Sequence, residues 1–197
     1  MINIFEIAKL EQCKTESSIN GVRLFKTYMN TIDQENYIAV ECMDMKWYTY
    51  NVQRGKRFLR YSSPIYEYAL ISACFLFQRN NMNFCEPYDW STVDHLINDN
   101  HISEAIQKTQ MDLLSLIPDK QNWQISLQEN GTMIDVFFHG AGEDIRITTS
   151  TSYHQALRAY RNYFIKLVRF HSIYSDFLLH FTELDTEYIQ FLDVFLR

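Results

Sequence analysis

Six histidines, four cysteines and 24 Asp or Glu residues are the side chains of this 197-residue chain that could do chemistry. Their spacing decides which chemistry is open. A zinc centre needs three or four His, Cys or carboxylate ligands converging on one point. His95, His101, His139, His154, His171 and His180 include no HExxH pair, and Cys13, Cys42, Cys74 and Cys85 include no CxxC pair. No metal and no cofactor is therefore expected. Cys74 lies in the apolar run Ala69–Phe77, where a reduced, buried thiol is the ordinary outcome. Cys42 or Cys85 could meet a histidine only through the fold, so a small hydrolase with a Cys/His site is the alternative to a binding protein. His139-Gly140-Ala141-Gly142 looks like an oxyanion-hole glycine turn, but no GxSxG elbow goes with it. It reads instead as a hairpin turn after an alternating strand. No Walker A loop and no GxGxxG occur, and Glu143/Asp144 and Asp185/Glu187 read as surface carboxylates. The chain is expected not to be an enzyme.

Charge points toward a binding role. The net charge of −6 disfavours contact with nucleic-acid phosphates and suits a basic protein partner. Arg54, Lys56, Arg57 and Arg60, interleaved with Phe58 and Tyr61, read as a hairpin with solvated basic tips. The sharpest bias is C-terminal: Asp176, Glu183, Asp185, Glu187 and Asp193 occur with no Lys or Arg before Arg197, among Tyr174, Tyr188 and several Phe. A second acidic, aromatic group contains Glu86, Asp89, Trp90, Asp94 and Asp99. The expected partner-binding residues are Asp176, Glu183, Asp185, Glu187, Tyr188 and Asp193, with Glu86, Asp89, Trp90 and Asp94. Charge would steer the partner and aromatic rings would anchor it.

These residues need a scaffold, and 47% hydrophobic residues can supply its core. One domain over 1–197 is expected, with a subdomain break near 80–90. Ile2, Ile4 and Ile7 suggest a short strand. Val22–Tyr28, Tyr37–Cys42, Lys46–Val52 and Lys56–Tyr61 read as antiparallel strands, the last two joined through Arg54-Gly55. Ser62-Ser63-Pro64 starts a core helix that reaches about Arg79. Ser91 and Ser103 are expected to cap two central helices. Trp123–Leu127, Met133–Phe138 and Asp144–Thr148 form a meander around Asn130-Gly131 and Gly140–Gly142. Ser152 to Gln155 opens a long helix ending near His171, with Arg158, Arg161 and Arg169 on its solvated side. One or two more helices follow. The class is α+β: antiparallel strands in the N-terminal part, central helices, a C-terminal three-stranded meander and long helices. The opening residues lack a signal-peptide pattern, and the longest apolar stretch is far short of the about 20 residues that span a bilayer. A cytoplasmic location without membrane contact is expected.

The stretch from Trp123 to about Arg169 resembles the C-terminal portion of bacterial immunity proteins, the partners of polymorphic and contact-dependent inhibition toxins. The likeness lies in the meander (Ile125-Ser-Leu, Ile134-Asp-Val-Phe-Phe, Ile145-Arg-Ile), the Ser/Thr-rich cap Thr148 to Ser152 and the long amphipathic helix. It implies stoichiometric binding and neutralisation of one cognate toxin, here a basic, nuclease-type domain, with no catalytic residues. A structural adaptor of a phage or mobile element is a further alternative, expected to expose an apolar patch.

Overall fold

β-branched and aromatic residues between Gly21 and Ser63 fold, in this computed structural model, into four long strands of an antiparallel meander. The structure describes residues 3–29, 31–81, 89–114, 125–139 and 144–196. The chain divides into two compact units, Met1–Met82 with Phe170–Arg197, and Asn83–Arg169. The class is α+β: a five-stranded antiparallel sheet, central helices, a three-stranded antiparallel sheet and C-terminal helices.

In the first unit, helix α1 (Ile4–Ile7) precedes strands β1 (Cys13–Ser18), β2 (Gly21–Tyr28), β3 (Thr31–Met43), β4 (Lys46–Gln53) and β5 (Lys56–Ser63). The strands pair in chain order. Arg54 and Gly55 both take positive φ, 47° and 76°, as a two-residue hairpin turn requires. Helix α2 (Tyr66–Asn81) follows, with every residue from Tyr68 to Phe77 buried, so it is a core helix and not an amphipathic one. One side of it meets the sheet. There the Thr49 hydroxyl reaches the Ala69 carbonyl (2.9 Å) and the Ser72 hydroxyl (2.7 Å), which satisfies a polar group at zero exposure. The Phe75 ring lies 4.8 Å from Phe170, 5.7 Å from Phe177, 5.5 Å from Phe191 and 6.1 Å from Phe195. Each buried Phe adds roughly 1.5–3 kcal/mol of transfer free energy.

The second unit contains α3 (Ser91–Asn98), α4 (Ile102–Leu114), β6 (Ile125–Asn130), β7 (Met133–His139), β8 (Asp144–Ser150) and α5 (Tyr153–Leu178) as far as Arg169. Val93, Ala105 and Leu157 are fully buried together, with Trp90, Ile106 and Leu127 packed around them. Gly131, at φ 63°, makes the Asn130-Gly131 turn and sets the register of the sheet. A 3-10 turn (Leu184–Glu187) and α6 (Tyr188–Leu196) close the chain within the first unit. No helix among the described residues is long and apolar enough to cross a membrane.

Several expectations are corrected. Ile4 and Ile7 belong to a helix and not a strand, because the Asn3 side chain accepts the Phe5 amide and caps that turn. β1 is polar and largely exposed, so its sequence carries no apolar alternation to announce it. Ser91 lies inside α3, where the Asp89 carboxylate accepts its amide at 2.9 Å, and Ser103 lies inside α4. α5 continues seven residues past His171, since its buried stripe runs on through Tyr174 and Phe177 with no Gly or Pro to stop it. Arg161 is 6% exposed: four residues after Leu157, it falls on the buried side of the helix. Trp123, Pro118 and Gly140–Gly142 lie outside the described residues.

Candidate functional site

In the three-stranded sheet, pairing decides which polar side chains meet. Leu127 stands opposite Val136, and Ile125 opposite Phe138, which in turn faces Ile145. This is the apolar face. Ser126 stands opposite Phe137, Phe137 opposite Arg146, and His139 opposite Asp144, on the other face. His139 is two residues beyond Phe137, so it lies diagonally across from Ser126. The imidazole spans the gap: Nε2 is 2.5 Å from the Ser126 hydroxyl, and Nδ1 is 2.7 Å from Asp144 Oδ1. The His139 side chain is 26% exposed and Asp144 62%. The Phe137 ring is stacked 6.2 Å from the imidazole. A carboxylate, an imidazole and a hydroxyl are thus joined in one hydrogen-bonded line. In the sequence, His139 stands at the start of the His139–Gly142 turn with no neighbouring nucleophile to mark it. The signal available was the Asn130-Gly131 turn, which fixes Ser126 against Phe137 and hence the diagonal to His139.

The C-terminal acids gather on the other unit. Tyr174 donates to Asp185 (3.1 Å) and Tyr61 to Glu187 (2.7 Å). Both acids lie in the 3-10 turn, with Glu183 just before it. Burial first, then these carboxylates, raise the Tyr61 and Tyr174 hydroxyls above their ordinary range. Burial, with Glu183 and Glu187 nearby, does the same for Tyr68. Tyr188 hydrogen-bonds His171 Nε2 at 2.9 Å, and burial pushes its hydroxyl up to about 12 and the imidazole down to about 4. Asp176 pairs with Lys9 at 2.9 Å. Asp193 is half-buried on α6. The structure therefore brings Glu183, Asp185, Glu187 and Tyr188 into one segment, while Asp176 meets Lys9 from the N-terminal segment.

The second acidic group belongs to the unit that holds the three-stranded sheet. Asp94 faces His154 at 2.8 Å, Arg158 lies 5.5 Å from the Trp90 ring centre, and the Ser91 hydroxyl and amide hold the Asp89 carboxyl below its usual range. These three residues are thus partnered within the unit. Glu86 and Cys85 lie outside the described residues. Cys42 sits on β3 opposite Trp47, Cys74 is fully buried with its thiol raised by burial, and burial pushes the Cys13 thiol up to about 12. Among the described residues no group of His, Cys and carboxylates could hold a metal ion.

A further surface lies on the face of the five-stranded sheet turned away from α2. Register places Arg23, Tyr37, Glu41, Tyr48, Tyr50, Arg57 and Leu59 there. The Arg57 guanidinium lies 4.1 Å from the Tyr50 ring centre and bonds Glu41 at 2.5 Å, and Arg23 lies 5.5 Å from Tyr37. Leu59 is 55% exposed. Near the end of α2, a cavity of about 280 Å³ is lined mainly by polar groups, among them Asn36, Asn51, Gln53, Asn80, Lys26 and Asp33. Asn36 hydrogen bonds hold Asp33 ionised to lower pH than an ordinary carboxylate. Compared with known proteins, the chain matches no family model, no curated protein and no solved structure.

Proposed function

We propose that this chain works by binding another protein, in the manner of an immunity protein that occupies a basic, nuclease-type toxin. One observation carries the reading. The Glu183–Glu187 turn presents three carboxylates, two of them held in place by Tyr61 and Tyr174, in a segment with no Lys or Arg from Phe170 to Leu196. Fixed carboxylates lose less freedom on binding than mobile ones, and their charge speeds encounter with a cationic partner. The test is a calorimetric titration of the chain with a basic toxin domain encoded beside it, at low and physiological salt. Replacing Glu183, Asp185 and Glu187 together by Gln, Asn and Gln is expected to weaken binding at least tenfold and flatten its salt dependence. Unchanged affinity in that variant would remove this surface from the proposal.

The tyrosine–arginine face of the five-stranded sheet favours a second reading, in which it is the docking surface. Tyr and Arg dominate protein-interface hot spots, and here they are mounted on paired strands. In the same titration, Tyr48→Ala with Tyr50→Ala would then cost about 2 kcal/mol or more, while the acidic variant would bind normally.

A further inference from the structure

We propose that Ser126, His139 and Asp144 form a nucleophilic hydrolytic centre on the polar face of the three-stranded sheet, acting on small carboxylic esters. Three independent geometric conditions coincide there. The hydroxyl is 2.5 Å from one imidazole nitrogen, within reach of a general base. The other nitrogen is 2.7 Å from a carboxylate, which fixes the orientation of the ring. The set also remains reachable, with the His139 side chain 26% exposed and Ser126 only partly buried. All three residues stand on paired strands, with His139 directly opposite Asp144. The relay is therefore held by backbone hydrogen bonds and not by loop packing alone.

The surroundings limit the substrate. Phe137, stacked beside His139, offers an apolar edge for a short acyl group. Arg146, opposite Phe137 on the same face, is an exposed cation for a developing oxyanion or an anionic substituent. An open sheet face of this kind suits a small, reactive ester. In the first step the Ser126 Oγ–C bond forms as the Oγ proton passes to His139 Nε2. The ester C–O bond then breaks, and the departing alkoxide takes that proton and leaves as the alcohol. In the second step water adds to the acyl-serine carbonyl, giving its proton to His139. The Oγ–C bond breaks, and Ser126 recovers its proton as the carboxylic acid leaves. Water is the only co-reactant. Ser126 is the nucleophile, His139 the base and acid, and Asp144 a positioning residue. The inference is independent of the docking surfaces, which lie in the other unit.

The experiment treats the full-length protein with a fluorophosphonate probe, locates the adduct by peptide mass spectrometry, and follows hydrolysis of p-nitrophenyl acetate. The expected result is one adduct, on Ser126, and turnover that falls about 100-fold or more in Ser126→Ala and His139→Asn. Asp144→Asn should lower the rate at unchanged far-ultraviolet circular dichroism, and Asp144→Glu should restore part of it. Such rescue would not follow from a merely structural role. Ser126→Cys, read by iodoacetamide labelling at Cys-selective pH, guards against loss of fold in the alanine variant. An adduct elsewhere, or turnover in folded Ser126→Ala equal to that of the natural chain, would overturn the proposal.

Discussion

The two sheets use their free faces differently. In the five-stranded sheet one face is sealed by α2, and the other carries rings with cations lying over them, Arg57 on Tyr50 and Arg23 on Tyr37. In the three-stranded sheet the apolar face packs toward the Val93, Ala105 and Leu157 core through Leu127. Its other face carries a hydroxyl, an imidazole and a carboxylate in line. Rings and guanidiniums offer area and orientation, which is what binding uses. A hydrogen-bonded relay offers a path for a proton, which is what bond-breaking uses. The same strand alternation underlies both, so the contrast comes from the residues on the outward positions and not from sheet architecture.

The largest expected effects test the supports of the two sheets. Phe75→Ala removes the ring at the centre of the aromatic cluster behind the five-stranded sheet and should cost about 3–5 kcal/mol by urea denaturation. Leu157→Ala, behind the three-stranded sheet, should cost about 2–5 kcal/mol. Hydrogen exchange of the two variants would show whether the loss falls on different sets of strands. A cost below about 1 kcal/mol at Phe75 would mean that the cluster does not hold the first unit as its ring distances indicate.

A pH effect of middle size belongs to the first unit alone. Burial lowers the His171 imidazole from an ordinary 6.5 to about 4. Below pH 6.5 the unfolded chain gains a proton that the folded chain refuses, so stability should fall between pH 6.5 and 4 and then level off. Allowing for the partial exposure of the ring, the step is on the order of 1–2 kcal/mol. Thermal unfolding across that range would measure it, and His171→Gln should remove it. The smallest expected effect is that of Arg57→Ala, about 0.5–1 kcal/mol, because both the ring contact and the Glu41 bond are at the surface. Its influence on partner binding should exceed its influence on melting if the tyrosine–arginine face is a docking surface.

Much of this fold was legible before the structure. Four strands of the first sheet, the existence of α2 and the second meander all carry local signals: alternation, Arg54-Gly55, the apolar run Ala69–Phe77 and Asn130-Gly131. The helix start expected at Ser62-Ser63-Pro64 is corrected, since Ser62 and Ser63 end β5 and α2 begins at Tyr66. β1 and α1 did not, because a strand with one half-buried cysteine followed by five exposed polar residues has no apolar alternation to pattern, and a four-residue helix has little periodicity. The expected acidic site was legible only as composition. Asp185 and Glu187 accept hydroxyls from tyrosines 11 and 126 residues away, which no local pattern encodes.

The sequence alone determined the α+β class, the strand-to-helix order and the absence of a zinc or nucleotide motif, since each rests on short-range periodicity or spacing. Only the tertiary structure decided that Ser126, His139 and Asp144 stand in one line and that the C-terminal carboxylates are anchored by Tyr61 and Tyr174. Hydrogen bonds a few ångströms long depend on strand register and helix packing, and these are set by the whole chain's burial of its apolar faces.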